Sequence, residues 1–310
     1  MRRINLRYRS IGYPKMRKFY IQKEKIPNHL RLSNKEIEKR ILNKIKELRR
    51  YFEKSGFKKA IIGVSGGLDS AVAAGLAVRA LNSKNIYLVR MPYYGISSKK
   101  GLKDAEILAK NLKIPKENLI TIPINQQVDQ NWKKLCQFTL RHFLKKSGGG
   151  FERKEKLRKG NLMARERMKI LFDLSSVFKA VVIGTENKTE ERLGYFTIGG
   201  DHCSGIEPIL DLWKTQESHL SEKLPEIPGS ILNKVPSAEL WKGQTDEKEI
   251  GASYLEIDTI LSAKEDLGLS KNEINQKFKI PLKIIDLILN KAKKAEGKRN
   301  LPYILRGRVS

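Results

Sequence analysis

Residues 63–70, Gly-Val-Ser-Gly-Gly-Leu-Asp-Ser, place two hydroxyls, adjacent glycines and one carboxylate within a single turn. They follow an apolar run and precede a small-residue helix pattern, Ala71–Leu81. A strand that breaks into Ser65-Gly66-Gly67 and opens a helix offers unpaired backbone N–H groups to a phosphate. Gly66 and Gly67 allow close approach of the backbone to an anion, and Ser65 and Ser70 add hydroxyl donors. Asp69 repels phosphate unless a divalent cation lies between the two. The stretch therefore reads as a magnesium–nucleotide loop without the Gly-Lys-Ser/Thr ending of a Walker loop. A plain strand–helix turn, with Asp69 as a first-turn acid favoured by the helix dipole, is the alternative.

A second acidic stretch, Gly184-Thr185-Glu186-Asn187-Lys188-Thr189-Glu190, also sits where a strand pattern gives way to a helix. Asn187 and Glu190 have the spacing of a capping box. Glu186 and Glu190, spaced i, i+4, have hard oxygen donors. If Glu190 faces Asp69, the two acids become magnesium ligands. Both readings are open at this point.

These loops need elements to hold them. The Ser33/Glu36 spacing opens a helix over 34–54. Strands are expected at 59–64, 85–91, 118–122 and 180–184, alternating with helices at 70–82, 100–112, 126–145 and 161–179. Near-continuously apolar strands alternating with helices predict an α/β fold with a doubly wound parallel sheet. Ligands then bind beyond the carboxyl ends of the strands. Segment 145–160, with Gly148-Gly149-Gly150 among charges, reads as a mobile loop, and 199–208 and 224–236 as a second irregular region. The C-terminal part adds helices at 246–262, 272–278 and 282–295.

The chain has 310 residues, a formal charge of +28 and two cysteines, Cys136 and Cys203. No apolar run approaches the ~20 residues of a membrane span, and no apolar signal core opens the sequence. Cysteines outside any CxxC pair argue against a zinc site or disulfide framework, and for free thiols in the cytoplasm. The lysines are spread along the whole chain, which points to compositional bias more than to nucleic-acid binding. The densest segment is the N-terminal arm, residues 1–32, with Tyr8, Tyr13, Phe19 and Tyr20 among its Arg and Lys. It reads as a solvated or partner-packed arm, with contact to RNA or an acidic surface as the alternative. The main domain is expected over 33–300 and a tail over 301–310.

The 63–70 loop resembles the signature of the ATP pyrophosphatase superfamily, whose members adenylate a substrate and release pyrophosphate. Four further blocks narrow the likeness: 159–168, 184–190, 194–201 and 236–247, the last with Pro236-Ser237-Ala238-Glu239 and Gly243-Gln244-Thr245-Asp246. In order and spacing they resemble the ammonia-dependent NAD synthetases, over about 36–302. The resemblance implies an adenine nucleotide alpha hydrolase-like fold and an acyl-adenylate on the nicotinate of deamido-NAD, which ammonia resolves to the amide. It also implies magnesium as cofactor, ATP as co-substrate and a homodimer. Too few residues precede the first helix for a glutaminase domain, so free ammonia or a separate glutaminase is the expected nitrogen source.

By the same resemblance, Gly63, Ser65, Gly66, Gly67, Asp69, Ser70, Arg90, Thr185, Lys214 and Ser237 contact ATP, with Asp69 and Glu190 on the metal. Asn161, Arg165, Tyr195 and Lys298 contact deamido-NAD. Asp69, Lys214 and Asp201 are the catalytic candidates, Asp201 as the ammonium site or else a loop cap. Arg167, on the apolar stripe of its helix, reads as a structural arginine. Three departures stand out: Ile198 where a lysine is expected, Gly205 where an aspartate is common, and Gly297 where a histidine is expected. The competing reading is an RNA-modifying ATP pyrophosphatase, which the lack of cysteine pairs disfavours. A nucleotide-binding module without turnover is a third.

Overall fold

Strand β1 (Lys59–Gly63) lies inside a four-stranded parallel sheet of order β3-β2-β1-β4, with β2 at Ile86–Arg90, β3 at Leu119–Thr121 and β4 at Ala180–Ile183. This is a computed structural model, and it describes Ile21, residues 25–142 and residues 151–301. The chain steps outward from β1 to β3, then returns to lay β4 on the other side of β1. The crevice between β1 and β4 is thus the point where strand order reverses, the place where open α/β sheets bind ligands.

Alternation along the strands assigns the two faces. Ile62, Leu88 and Ile183 pack with helices α1 (Asn34–Ser55), α2 (Leu68–Leu81) and α3 (Lys99–Asn111). Ile61, Val89 and Val182 point the other way, onto α4 (Asn125–His142) and α5 (Phe151–Phe178). Helices on both faces explain why the strands read as apolar runs. The doubly wound expectation is met.

Four boundaries differ from the sequence expectation, each for a physical reason. Helix α5 starts at Phe151, so 151–160 are helix and not loop; residues 145–150 of that expected loop lie outside the described residues. Its polar first turns carry no apolar stripe to betray them. Gly160 within it meets Leu240, since a Cβ there would sit 2.8 Å from the Leu240 Cβ. The expected helix 246–262 is broken by Gly251 at φ 92° into α9 (Asp246–Ile250) and α10 (Tyr254–Glu265). Ser253 caps the second piece with Glu256. Helix α7 (Lys214–Ser221) is buried at every position although mostly polar, so it has no amphipathic period to read. A short helix, α8 (Gly229–Leu232), sits inside the irregular segment 224–236.

A separate apolar cluster joins Trp213 to α10, α11 (Lys271–Phe278) and α12 (Leu282–Arg299). Ile26 and Leu30, each 1% exposed, pack into it, and His29 Nε2 lies 2.8 Å from Ser262 Oγ. The last residues of the 1–32 segment are therefore part of the packed body; residues 1–20 and 22–24 lie outside the described residues, as do 302–310. No helix among the described residues is long and apolar enough to cross a membrane. Among the described residues, Cys136 and Cys203 form no disulfide.

Candidate active site

The loop after β1 is shaped by its own groups. Gly66 has φ 73°, and a Cβ on it would lie 2.2 Å from the Gly101 carbonyl oxygen at the start of α3. Only glycine fits there. Ser65 Oγ accepts from the Gly67 N–H at 3.2 Å, and Ser70 Oγ donates to the Gly67 carbonyl at 3.2 Å. Gly67 caps α2 without a side-chain bond, so the first N–H groups of that helix have no capping side chain at the crevice. That end of α2 is ready for an anion.

Asp69 projects from the first turn of α2 and accepts from Lys214 Nζ and from Asn187 Nδ2, the latter at 2.7 Å. Lys214 is 2% exposed and also donates to Glu217 Oε2 at 3.1 Å. Burial alone pushes the Asp69 carboxyl up, but the Lys214 ammonium and the hydrogen bonds outweigh it and hold it below its ordinary value. Glu190 moves the other way: burial, then the facing charge of Asp69, raise it.

The capping box at α6 (Lys188–Leu193) is real. Asn187 accepts from the Glu190 N–H at 3.0 Å, and Glu190 Oε2 accepts from the Asn187 N–H at 3.3 Å. The cap and the candidate metal pair are not rivals, because the cap turns Glu190 into the crevice while Asn187 reaches Asp69. Among the described residues, no group of three or more His, Cys, Asp or Glu side chains is arranged to hold a metal.

A cavity of about 640 Å³ runs from this loop to α12. On the β1 side it is lined by Gly63, Ser65, Gly67, Asp69 and Ser70, and across from them by Thr185, Glu190 and Lys214. Ser237 lines it too, its Oγ donating to the Gln244 carbonyl at 2.8 Å. Asn161, Arg165, Tyr195, Asp201 and Lys298 line the far part. Two expected nucleotide residues stand apart. Gly66 shapes the loop from behind. Arg90 does not line the cavity: its Nε donates to Thr121 Oγ1 at 3.0 Å and its guanidinium lies 3.8 Å from Glu106.

Several far-side groups are already engaged. Arg165 Nε donates to the Ile198 carbonyl at 3.0 Å, and Thr197 Oγ1 donates to Asn161 Oδ1 at 2.9 Å. The Tyr195 hydroxyl sits between Glu249 Oε2 at 2.8 Å and Asp246 Oδ1 at 3.1 Å. Lys298 Nζ donates to the Gly194 and Phe196 carbonyls and lies 4.2 Å from the Phe196 ring centroid. Asp201 Oδ1 accepts from the Thr197 N–H at 2.8 Å, a loop-capping bond.

Sequence reading missed two clusters. Glu239 accepts from Ser98 N–H and Oγ–H at the start of α3 and from Lys234 Nζ at 2.9 Å, and so ties segment 234–240 to the start of α3. Its φ of 48° is a strained value for a non-glycine. Arg167, expected to be structural, lines the cavity as well; its Nε donates to the Met91 carbonyl, and burial lowers its pKa to about 10. The other cluster joins Glu186, His202 and Glu207, with His202 Nδ1 2.5 Å from Glu186 Oε2. The sequence marked Glu186 by its spacing from Glu190 and Gly205 as a departure, but nothing local tied them to Glu207, whose Oε1 lies 1.7 Å from where a Gly184 Cβ would fall.

Comparison with known proteins identifies the family. The family model described as NAD synthase matches residues 40–302. An NH(3)-dependent NAD(+) synthetase from Fusobacterium nucleatum is 39% identical over 278 residues, covering 89% of this chain and 98% of the relative. Among solved structures, an NMN synthetase from Francisella tularensis is 29% identical with a TM-score of 0.71, covering 87% of this chain and 99% of that one. An NH3-dependent NAD synthetase from Campylobacter jejuni, solved with a nitrate ion, is 27% identical with a TM-score of 0.66, over 87% and 99%.

Proposed function

The chain belongs to the NAD synthase family, and we propose that this cavity carries out both halves of the amidation of deamido-NAD to NAD. The nicotinate carboxylate attacks the α-phosphorus of ATP, and pyrophosphate leaves. Ammonia then attacks the carbonyl of the acyl-adenylate and expels AMP, making the carboxamide C–N bond. The observation that carries this reading is that the anion-ready end of α2 and the Arg165–Asp201–Lys298 side line the same 640 Å³ space.

Roles follow from position. The α2 N-terminus and the loop backbone bind departing pyrophosphate, and Lys214 adds a fixed positive charge. Asp69 and Glu190 would hold magnesium: two hard carboxylates facing one another, where Asp69 raises Glu190, fit a divalent cation completed by phosphate and water. Such an ion supplies charge neutralisation on the phosphates. Arg165 and Asn161 receive the nucleotide carrying the carboxylate, and Asp201 receives ammonium. A homodimer, cytoplasmic residence, and ammonia taken free or from a separate glutaminase complete the reading.

The test is pyrophosphate release and NAD formation with deamido-NAD, ATP, magnesium and ammonium. Absence of both products sinks the proposal. The likeness to an NMN synthetase favours a second acceptor, the mononucleotide acid whose amide is NMN. Running the two acceptors side by side assigns the substrate by kcat/KM. Strong salt-sensitive RNA retention without amidation would instead indicate an RNA-modifying pyrophosphatase.

A further inference from the structure

A second cluster of titratable groups sits at the end of β4. Glu186 lines the cavity and is 5% exposed, and its Oε1 is buried with no hydrogen-bond partner among the described residues. Its Oε2 meets His202 Nδ1 at 2.5 Å. The His202 side chain is 30% exposed, is not among the cavity-lining residues, and stacks on Phe196 at 3.9 Å between ring centroids. One carboxyl thus joins the cavity wall to an imidazole that reaches solvent.

The backbone builds this arrangement deliberately. Segment 205–206 runs parallel beside β4, with Gly205 N–H on the Val182 carbonyl and Gly184 N–H on the Ile206 carbonyl, each at 2.9 Å. A Cβ on Gly205 would lie 2.7 Å from Val181 Cγ1. Glu207 is thereby brought over Gly184, where its Oε2 accepts the Glu186 N–H at 3.2 Å and its Oε1 accepts from Ser204 Oγ at 2.7 Å.

We propose that Glu186 and His202 form a proton exit from the amidation site to solvent. The inference rests on the amidation reading above. When ammonium becomes an amide, the C–N bond forms, the acyl C–O bond breaks with its electron pair leaving on AMP, and two protons must leave nitrogen. In the resting pair one proton is shared between Oε2 and Nδ1. A proton arriving at Oε1 drives the shared proton onto Nδ1, and the imidazolium releases its Nε2 proton to water. One proton enters and one leaves. Rotation of the carboxyl and exchange of the ring tautomer with water restore the pair.

The surrounding charges support a shared proton. Glu186 is faced by Asp201, Glu207, Glu191 and Lys298, and burial with the acidic neighbours raises it to about 9. His202 is faced by Asp201, Glu191 and Lys298, and burial lowers it. Neither group is held as a fixed ion. Glu186 and His202 are positioning residues for proton removal; Asp201 remains the candidate for contact with the nucleophile.

Two variants separate relay from packing. His202→Phe keeps a ring to stack on Phe196 and removes both nitrogens; Glu186→Gln keeps the size and removes the exchangeable carboxyl proton. For each, kcat with ammonium is measured across neutral to alkaline pH, beside single-turnover pyrophosphate release and thermal melting. We expect ammonium-dependent kcat to fall about 10²-fold, the scale of one general acid–base group, with pyrophosphate release retained. Hydroxylamine, mainly uncharged near neutrality, should lose less than ammonium does. Added imidazole bases should restore His202→Ala at rates that follow the base pKa. Wild-type kcat and pH profile in both variants overturn the relay. Equal losses in pyrophosphate release and amidation also overturn it, by showing a merely structural role. A wild-type enzyme that makes no amide at all is a distinct outcome, which removes the amidation reading and the relay with it.

Discussion

The ends of β1 and β4 lie side by side and treat their acids in opposite ways. At the end of β1, Asp69 is paired with the buried Lys214 and with Asn187, and it stays ionised below the ordinary carboxylate range. At the end of β4, Glu186 is faced by Glu207 and Asp201, and burial pushes Glu186 to about 9 and Glu207 to about 7. The nearest ammonium, Lys298, is committed to the carbonyls of Gly194 and Phe196. The lesson is that one fold holds a fixed negative charge beside proton-carrying acids a strand apart. A metal and phosphates need the first, and shedding protons from nitrogen needs the second.

The comparison breaks most severely at Lys214. Lys214→Met strands Asp69, Glu217 and Glu190 without their buried cation, and removing one partner of such a pair costs about 3–5 kcal/mol. Urea unfolding should show that loss, and pyrophosphate release should vanish with it. Asp69→Asn removes the charge but keeps the shape. We expect pyrophosphate release to drop about 10²–10³-fold, with a weaker response to magnesium and a much smaller stability change than in Lys214→Met. A residual rate near wild type would dissociate Asp69 from the chemistry.

Gly66→Ala tests the loop between the two ends. The new Cβ meets the Gly101 carbonyl at 2.2 Å, on a backbone already at φ 73°. Strain of about 1–3 kcal/mol should appear as a lower Tm and a higher KM for ATP. A KM unchanged within error would mean that the loop does not contact nucleotide.

The two ends should also differ in pH response. Glu207 moves from its ordinary 4.5 to about 7 on folding, and Glu186 to about 9, so the folded state binds more protons than the unfolded state in between. Their contribution to stability is therefore present below about pH 4.5 and is lost as pH rises through 7 and 9. Asp69, held low, contributes in the opposite direction, and its share is lost as pH falls. Glu207→Gln should flatten the decline in Tm between about pH 4.5 and 7 and leave unchanged the loss at lower pH that Asp69 contributes. Least of all should change in Ser237→Thr. The hydroxyl keeps its bonds to the Gln244 carbonyl and the Glu239 N–H, and the stability shift should stay within about 0.5 kcal/mol.

The strands, the loop after β1 and the cap before α6 could be read from the chain because each depends on neighbours in sequence. Ser33/Glu36 and Ser270/Glu273 form the capping boxes their spacing predicts. Helix α7 could not be read this way. Gln216, Glu217 and His219 carry no local signal of burial, yet all are buried, in a helix whose first residues bond to Asp69, Thr189 and Asp258 on α2, α6 and α10. Arg90 illustrates the same limit from the other side: the end of β2 is a plausible place for a nucleotide contact, but its side chain turns to Thr121 and Glu106.

By itself, then, the sequence determined the doubly wound sheet, the glycine turn at Ser65–Ser70 and the placing of the acids Asp69 and Glu190 at strand ends. Those follow from local apolar runs, glycine positions and side-chain spacing, which act over a few residues. Tertiary structure alone decided which charges are balanced. Lys214 reaches Asp69 across 145 positions of chain, and His202 reaches Glu186 only because Gly184 and Gly205 let segment 205–207 close over β4. Charge balance in a buried site depends on distance and solvent exclusion, and both are set by packing.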